Sequence, residues 1–233
     1  LEMFKGSLQK RFNFKVFFWL VIAYVRLARE PQSSGILVIS NNLSRASFRQ
    51  RIGELLPYLD KAGIKAEVRK LPIKNSLRWK LFFSARNFEA VLLHKKCLNF
   101  TDARVLRFFT KKIIYDFDDA IMYSPAKPAS NWTSHYRLFR RTAKMVDVMI
   151  AGNEYLSERA RRYCSNVQVL PTGLNTKPFN GERKKPCNKI RLVWIGSKAT
   201  LKYLFEIKEV LEEVGKENSK VELCIIADVF FDL

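Results

Sequence analysis

The chain passes from an apolar run into an acidic one in the stretch Ile113-Ile114-Tyr115-Asp116-Phe117-Asp118-Asp119-Ala120. Its β-branched start predicts a buried strand over 112–115. Three carboxylates then fall within four positions, and they must be paired or solvated because like charges repel. In an open α/β sheet, ligands bind at the carboxyl ends of the strands. We therefore interpret Asp116, Asp118 and Asp119 as a ligand-facing loop, with a solvated turn as the alternative.

The pattern on either side of this stretch predicts a parallel α/β sheet, because short apolar runs alternate with amphipathic ones. The predicted strands cover 36–40, 66–71, 89–93, 112–115, 146–151 and 167–170, and the predicted helices cover 48–59, 76–85, 102–109, 134–144 and 154–163. A second unit follows, with a strand over 189–195, a helix over 200–214 and a strand over 221–227. One βαβ unit cannot cover both faces of its own sheet. We expect it to dock on the first domain or to be part of a larger one.

Four segments are expected along the chain. Residues 1–35 form an apolar and basic helix with a linker, and 36–171 form a Rossmann-like domain. Residues 172–188 form a linker between domains, and 189–233 form the beginning of a second, incomplete Rossmann-like domain. Within the first segment, the apolar run at 16–25 is about half the roughly 20 residues that a membrane-spanning helix needs. An interfacial helix and a helix packed on the protein body both remain open.

The balance of charge points to an anionic partner. The 233 residues include 42 Lys and Arg against 22 Asp and Glu, a net charge of +20. Such an excess favours nucleic acid, a phospholipid surface or a phosphorylated small molecule. The sequence carries no helix-turn-helix, RRM or zinc-finger pattern, so nucleic acid is the least expected of these partners.

The four cysteines are isolated in the sequence, and none forms a C-x-x-C pair. This spacing predicts no structural zinc site and is typical of a reducing compartment. We therefore expect a cytoplasmic protein, with peripheral attachment to the inner face of the membrane as an open alternative.

A small-residue turn links the first strand of the second unit to its helix. It reads Gly196-Ser197-Lys198-Ala199-Thr200. Such a turn lets backbone N–H groups approach an anion, and the helix N-terminus adds roughly half a positive charge. Gly196, Ser197, Lys198 and Thr200 are thus candidate phosphate-binding residues. The alternative is a turn in which Gly and Ser serve the backbone geometry alone.

Several other side chains follow predicted strands. His94 ends the third strand, where it could shuttle a proton or contact phosphate, or be a structural histidine. Arg45, Arg49 and Arg51 follow the first strand and suit phosphate or carboxylate recognition, although a solvated helix face explains at least one of them. The D-x-D formed by 116–118 could bind a divalent cation. That pattern is common, and we expect no metal.

Six segments together are similar to a known family in their order and spacing. They are Val38-Ile39-Ser40-Asn41 with Arg49-Gln50-Arg51-Ile52; Val91-Leu92-Leu93-His94-Lys95-Lys96; Ile114-Tyr115-Asp116-Phe117-Asp118-Asp119-Ala120-Ile121; Val148-Met149-Ile150-Ala151-Gly152-Asn153-Glu154-Tyr155-Leu156; Val169-Leu170-Pro171-Thr172-Gly173-Leu174-Asn175; and Leu192-Val193-Trp194-Ile195-Gly196-Ser197 with Thr200-Leu201-Lys202-Tyr203-Leu204. This series resembles the retaining glycosyltransferases of the GT-B fold, in particular glycosyltransferase family 4, over about residues 36–233.

The resemblance implies two Rossmann-like domains that serve one reaction. The N-terminal domain would bind a glycan or lipid-linked acceptor, and the C-terminal domain would bind a nucleotide-sugar donor, usually without a metal or other cofactor. Such enzymes act in the synthesis of cell-surface polysaccharides, often at a membrane. Gly196, Ser197 and Thr200 would lie by the donor phosphates, the loop 116–119 would face the acceptor, and 171–175 would cross into the second domain.

The sequence departs from the family pattern in two ways. Many members carry a histidine after the fourth strand, where this chain has the acidic loop. The family's donor-anchoring Arg/Lys pair and its glutamate-x7-glutamate element would fall beyond residue 233. We therefore expect an incomplete donor site and assign no catalytic residue. A truncated, non-catalytic remnant that binds glycan or anionic membrane is the alternative.

Overall fold

The computed structural model describes residues 35–124, 126, 130, 132–176, 188–198 and 200–228. The chain forms two compact units, Leu1–Thr176 and Lys177–Leu233. The predicted N-terminal helix lies outside the described residues, as does the greater part of the predicted linker 172–188. The predicted α/β class is confirmed, because the first unit has the parallel sheet and covering helices of a Rossmann-like fold.

The first unit is a six-stranded parallel sheet with the strand order β2-β1-β3-β4-β5-β6. Its strands are β1 (Gly35–Ser40), β2 (Lys65–Lys70), β3 (Ala90–His94), β4 (Lys112–Phe117), β5 (Val148–Ala151) and β6 (Val167–Val169). Its helices are α1 (Ala46–Arg51), α2 (Leu56–Lys61), α3 (Asn75–Ser84), α4 (Phe100–Phe109), α5 (Ser134–Met145) and α6 (Glu154–Arg161).

The two faces of this sheet are covered by different helices. From β2 onward every crossover runs in the same direction across the sheet, so right-handed connections place α3 to α6 on one face. That face holds the larger core, in which Ile113 and Tyr115 pack with Phe82 and Phe139 from the helices. The first crossover runs the opposite way, and α1 and α2 therefore cover the other face. A smaller core of Val38, Phe48 and Ile52 lies there.

The predicted helix over 48–59 is broken in the structure. A 3₁₀ turn, Gly53–Leu55, separates α1 from α2, and Pro57 lies in the first turn of α2. Glycine weakens a helix interior, and proline cannot donate to the preceding turn, so the break follows from these two residues. As a consequence, α1 ends at Arg51, and its last side chain points toward the carboxyl ends of the strands.

The second unit contains two parallel strands, β7 (Ile190–Gly196) and β8 (Val221–Ala227). The single helix predicted over 200–214 is instead two, α7 (Leu201–Phe205) and α8 (Lys208–Glu217), because Ile207 leaves the helical conformation at φ −111° and ψ 13°. Val193 and Ile195 are more than half exposed on β7. Among the helices of the described residues, none is long and apolar enough to cross a membrane.

Candidate functional site

Three polar side chains form a row at the carboxyl end of the first unit's sheet. Ser40 of β1 lies in register with His94 of β3, which lies in register with Asp116 of β4. Strand residues two positions apart share a face, so this row continues the apolar stripe that contains Val38 and Leu92 on the α1 side of the sheet. The prediction had Asp116 in a loop, but β4 extends to Phe117, and Asp116 is a buried strand residue.

Arg51 closes over this row from the end of α1. Its Nη2 and Nε donate to the two carboxylate oxygens of Asp116, at 2.6 Å and 3.1 Å. Its Nη1 donates to the carbonyl of Leu170 at 2.9 Å and to the hydroxyl of Thr172 at 3.1 Å. Arg51 therefore joins α1, β4 and the segment after β6, which are distant in sequence.

This ion pair is internal to the protein. Both side chains are almost fully buried. Burial alone would lower the pKa of Arg51, but its hydrogen bond and charge interaction with Asp116 outweigh that effect and raise the pKa. Because Asp116 is buried and its charge is offset by the two bonds from Arg51, a ligand in solvent does not reach it. The Arg51–Asp116 pair therefore has a structural role, since it fixes the end of α1 to β4 beneath the acidic loop.

His94 is buried between these groups and the core. Its ring makes an edge contact with Phe48 at a centroid distance of 5.7 Å, and its Nδ1 lies 3.3 Å from the hydroxyl of Ser40. Nε2 lies 3.7 Å from the carboxylate of Asp116, and no described residue gives it a hydrogen bond. Burial lowers the pKa of His94, against the opposing charge of Asp116. The ring is therefore neutral near pH 7.

Lys95 turns the chain out of β3 in a left-handed conformation, with φ of 56°. A non-glycine residue in this region costs about 1–2 kcal/mol, so surrounding contacts must hold it. Its ammonium group lies 2.8 Å from the carboxylate of Asp118 and also pairs with Asp119. Burial would lower the pKa of Lys95, but the two aspartates outweigh it and raise the pKa. Lys95 thus stays charged and bridges both carboxylates.

Gly152 leaves room for the acidic loop. A Cβ atom at this position would lie 2.9 Å from both Cα and Cβ of Asp118. The N–H of Gly152 also donates to the carbonyl of Phe117 at 2.9 Å. The ends of β4 and β5 can approach this closely only because position 152 has no side chain.

The loop leaves one carboxylate open to solvent. Asp118 and Lys95 are mostly buried, whereas the side chain of Asp119 is 65% exposed. Asp116 is neutralised by Arg51, and Lys95 offsets one of the remaining two negative charges. Asp119 is therefore the carboxylate of the three that a ligand in solvent reaches first.

Arg45 and Arg49 are placed apart from this cluster. Arg45 precedes α1, and Arg49 donates from Nη1 to the carbonyl of Ser44 at 2.7 Å. Both are exposed, and within the described part of the chain no hydrogen bond or ion pair joins either to the acidic loop. Of the three arginines, the structure brings only Arg51 to the carboxylates.

A cleft of about 240 Å³ lies on the other side of Arg51. Its walls include Gln50, Glu54 and Tyr58 from the α1–α2 region, and Thr172 and Leu174 after β6. Arg51 lines this cleft and also binds Asp116, so it connects the cleft to the polar row. Within the described ranges, no group of three or more His, Cys, Asp or Glu side chains is arranged to hold a metal ion.

In the candidate phosphate-binding turn of the second unit, the N–H groups of Ser197 and Lys198 already bond to other groups of the same unit. The N–H of Ser197 donates to the hydroxyl oxygen of Thr200 at 3.0 Å, and that hydroxyl donates to the carbonyl of Ser197 at 3.0 Å. The N–H of Lys198 donates to the carboxylate of Asp228 at 2.8 Å. A carboxylate oxygen therefore occupies the position that a phosphate oxygen would take at this amide.

The packing around position 196 leaves no room for a side chain. A Cβ atom there would lie 2.4 Å from the indole ring of Trp194 and 2.7 Å from the hydroxyl of Thr200. A larger residue at position 196 would displace its own turn, whether or not a nucleotide binds. For this reason a Gly196→Val change does not isolate phosphate binding.

Three contributors to these sites were not predicted as such from the sequence. Lys95 follows the candidate His94 in the sequence, and no sequence pattern marks its left-handed backbone. Gly152 was visible as a glycine between a strand and the helix cap Asn153, which is a usable sign of close packing. Asp228 follows the last predicted strand and could have been placed near the turn by the parallel pairing of β7 and β8.

No protein-family model matches this chain, and neither does any curated protein. Among solved structures, the chain is similar to a Listeria monocytogenes protein that is described as a UDP-N-acetylglucosamine 2-epimerase. The identity is 13% and the TM-score 0.42, and the similarity covers 86% of this chain and 64% of that one. This chain thus spans a little under two thirds of that protein's length.

Proposed function

We propose that this chain is a glycosyltransferase that uses a nucleotide-sugar donor and a glycan or lipid-linked acceptor. The observation that carries the proposal is the cluster of Lys95, Asp118 and Asp119 at the carboxyl edge of a parallel sheet. Ligands of open α/β sheets bind at this edge. Backbone strain, held here by two ion pairs, also concentrates at functional sites. The order of the six segments that resemble family 4 supports the same reading.

In this proposal Asp119 receives the acceptor. Its exposed carboxylate accepts a hydrogen bond from an acceptor hydroxyl, and Lys95 and Asp118 hold the loop in position. The hydroxyl oxygen forms a bond to the anomeric carbon of the donor sugar, and the bond from that carbon to the nucleoside diphosphate breaks. The hydroxyl proton passes to the departing diphosphate. The Arg51–Asp116 pair positions the end of β4 and does not contact the acceptor.

The donor belongs to the second unit in this account. Gly196, Ser197, Lys198 and Thr200 form its turn, and the diphosphate takes the place of the Asp228 carboxylate at the N–H of Lys198. The amide that now bonds Asp228 would then bond a phosphate oxygen, which is a charge-assisted bond of the same kind. No metal is part of this proposal, because backbone and lysine donors neutralise the diphosphate. The protein acts in the cytoplasm, at the inner membrane face where lipid-linked acceptors lie.

The experiment that tests this function is acceptor-dependent release of nucleoside diphosphate. The full chain is incubated with UDP-, GDP- and ADP-linked hexoses, with and without a mixture of glycan and lipid-linked acceptors. Release that requires both substrates, with sugar appearing on the acceptor, is the expected result. Absence of release and of nucleotide-sugar binding across the panel would refute the proposal.

A second candidate function is glycan binding without transfer. The specific observation that favours it is the closed turn of the second unit, where the N–H groups of Ser197 and Lys198 already have partners. If this reading holds, calorimetry detects a glycan that binds to the first unit, while no nucleotide sugar binds and no diphosphate is released. The transfer assay therefore separates the two functions directly.

A further inference from the structure

One surface of the first unit combines exposed apolar side chains with cations. We call it the aromatic–basic face. Its apolar members, with their exposed fractions, are Ile73 (92%), Leu77 (49%), Trp79 (42%), Phe83 (41%) and Phe100 (56%). Ile73 precedes α3, the next three lie on α3, and Phe100 begins α4, which packs against α3. Soluble proteins seldom expose so many large apolar side chains on neighbouring elements without a partner.

The outer side of α3 explains how this face forms. Phe82 and the following Ala85 point into the core and are fully buried, so the opposite side of the helix faces outward. Residues three and four positions apart share one side of a helix. Leu77, Lys80 and Phe83 are spaced in this way along the outward side. This helix is therefore apolar on both sides, with lysine on the outer one.

Arginine side chains lie over the exposed rings. The guanidinium of Arg86 is 3.9 Å from the ring centroid of Phe83, and that of Arg104 is 4.6 Å from the ring centroid of Phe100. Arg141 of α5 lies 5.8 Å from the same Phe100 ring. Cations placed over aromatic rings remain close to the apolar surface and still face outward.

The face carries almost no negative charge. Between positions 72 and 115 the only acidic residues are Glu89 and Asp102. Asp102 is buried, pairs with Arg78 at 2.9 Å and accepts a hydrogen bond from the indole N–H of Trp79 at 3.1 Å. The negative charge of Asp102 is therefore neutralised by Arg78 and is not presented at the surface. Apart from the exposed Glu89 just before β3, the charged side chains exposed in this stretch are all cationic.

We propose that the aromatic–basic face binds the surface of an anionic phospholipid bilayer. Apolar side chains ringed by Lys and Arg suit the boundary between headgroups and acyl chains, where Trp and Phe insert and cations meet phosphates. A nucleic acid would use the arginines and the rings, but it gives Ile73 and Leu77 no apolar partner. The proposed function places the protein at the inner membrane face, and this inference adds the surface that makes the contact. Vesicle binding needs neither donor nor acceptor, so it is tested independently of sugar transfer.

The test is binding of the full chain to vesicles of equimolar phosphatidylglycerol and phosphatidylcholine, compared with phosphatidylcholine alone. We expect binding to the anionic vesicles that weakens with salt, and quenching of Trp79 fluorescence by brominated acyl chains. The part of the quenching that is lost in Trp79→Phe is the contribution of Trp79, because Trp19, Trp132 and Trp194 remain in the variant. Exchanging Lys80 for Gln should lower the affinity about fivefold, the equivalent of one cation near the surface.

A pair of matched variants locates the surface. Ile73→Asp with Leu77→Asp should weaken vesicle binding by about tenfold or more, since apolar contact is lost and charge repels the lipid. Val210→Asp with Val214→Asp makes the same change on exposed positions of α8 and should leave binding unchanged. Three results would overturn the proposal: equal effects of the two pairs, binding without quenching of Trp79, or tighter binding of the face to RNA than to vesicles.

Discussion

At the scale of single residues, the site depends on the absence of a side chain at position 152. Gly152 lets the end of β5 pass within van der Waals distance of the Asp118 backbone. The sequence predicts that Asp118 follows a strand, but it does not predict the short distance between Asp118 and the end of β5. The strained backbone of Lys95 is likewise absent from any sequence pattern, because lysine is a poor choice for φ of 56°.

We predict that Gly152→Ala destabilises the first unit and displaces the acidic loop. The new methyl group would overlap the Cα and Cβ atoms of Asp118, which cannot swing aside as the far end of a flexible side chain would. Overpacking of this kind costs about 1–3 kcal/mol of unfolding free energy. Urea unfolding followed by circular dichroism measures the loss. Gly173→Ala is the control, because nothing lies within 4 Å of its Cβ position. An unchanged stability of Gly152→Ala would contradict the packing described here.

His94 makes stability depend on pH in a defined direction. Its pKa is lowered in the folded protein, first by burial and further by the nearby charges of Lys95 and Arg51, against the attraction of Asp116 and Asp118. The unfolded chain has the ordinary pKa of about 6.5 and therefore binds more protons as the pH falls below that value. Stability is then complete above the unfolded pKa and is lost as the pH falls toward the folded pKa.

We predict that His94→Gln removes this loss. Between pH 7.5 and 5, the unfolding free energy of the wild type should decline relative to the variant, by at most about 1.4 kcal/mol per pH unit for one proton. His135→Gln, at an exposed position of α5, should keep the wild-type slope. Parallel curves for wild type and His94→Gln would show that the ring is not neutral and buried as described.

At the scale of elements, the Arg51–Asp116 pair joins helix α1 to strand β4, which the hydrophobic pattern of the sequence predicts as two independent elements. The hydrophobic pattern predicts the strands well, because each is a short apolar run between polar turns. It does not predict the pair, since Arg51 and Asp116 are 65 positions apart. The sequence predicts a ligand contact for Arg51, as for Arg45 and Arg49, whereas in the structure Arg51 binds the Asp116 carboxylate. The break of the predicted helix at Gly53 and Pro57 is what leaves Arg51 at a helix end.

We predict strong coupling in a double-mutant cycle across this pair. Arg51→Met should lower the unfolding free energy by about 3–5 kcal/mol, because it leaves the Asp116 carboxylate buried without a partner. Adding Asp116→Leu should restore much of that loss, since an apolar pair of similar volume needs no counter-charge. The contrasting variants Arg107→Met and Asp147→Leu, at a partly exposed pair, should show little coupling. Additive effects at positions 51 and 116 would contradict a closed internal pair.

At the scale of the whole molecule, the sequence predicted the α/β class and the parallel sheet because local apolar runs and crossover rules nearly determine them. The charge of +20 predicted an anionic partner, but composition alone could not locate a surface. Only the three-dimensional arrangement separates a neutralised carboxylate, Asp116, from an exposed one, Asp119. It also separates buried rings from those of the aromatic–basic face.

The central claim is that Asp119 serves the acceptor side of a nucleotide-sugar transferase. The most direct measurement is acceptor-dependent diphosphate release by Asp119→Asn, with nucleotide-sugar affinity measured on the same sample by calorimetry. Asp60→Asn, an exposed carboxylate on α2, is the control for charge alone. We predict that Asp119→Asn lowers release about tenfold, because the charged acceptor of the hydroxyl's hydrogen bond is replaced by a weaker neutral one, with nucleotide affinity unchanged. Wild-type release by Asp119→Asn, or a matching loss in Asp60→Asn, would contradict the claim.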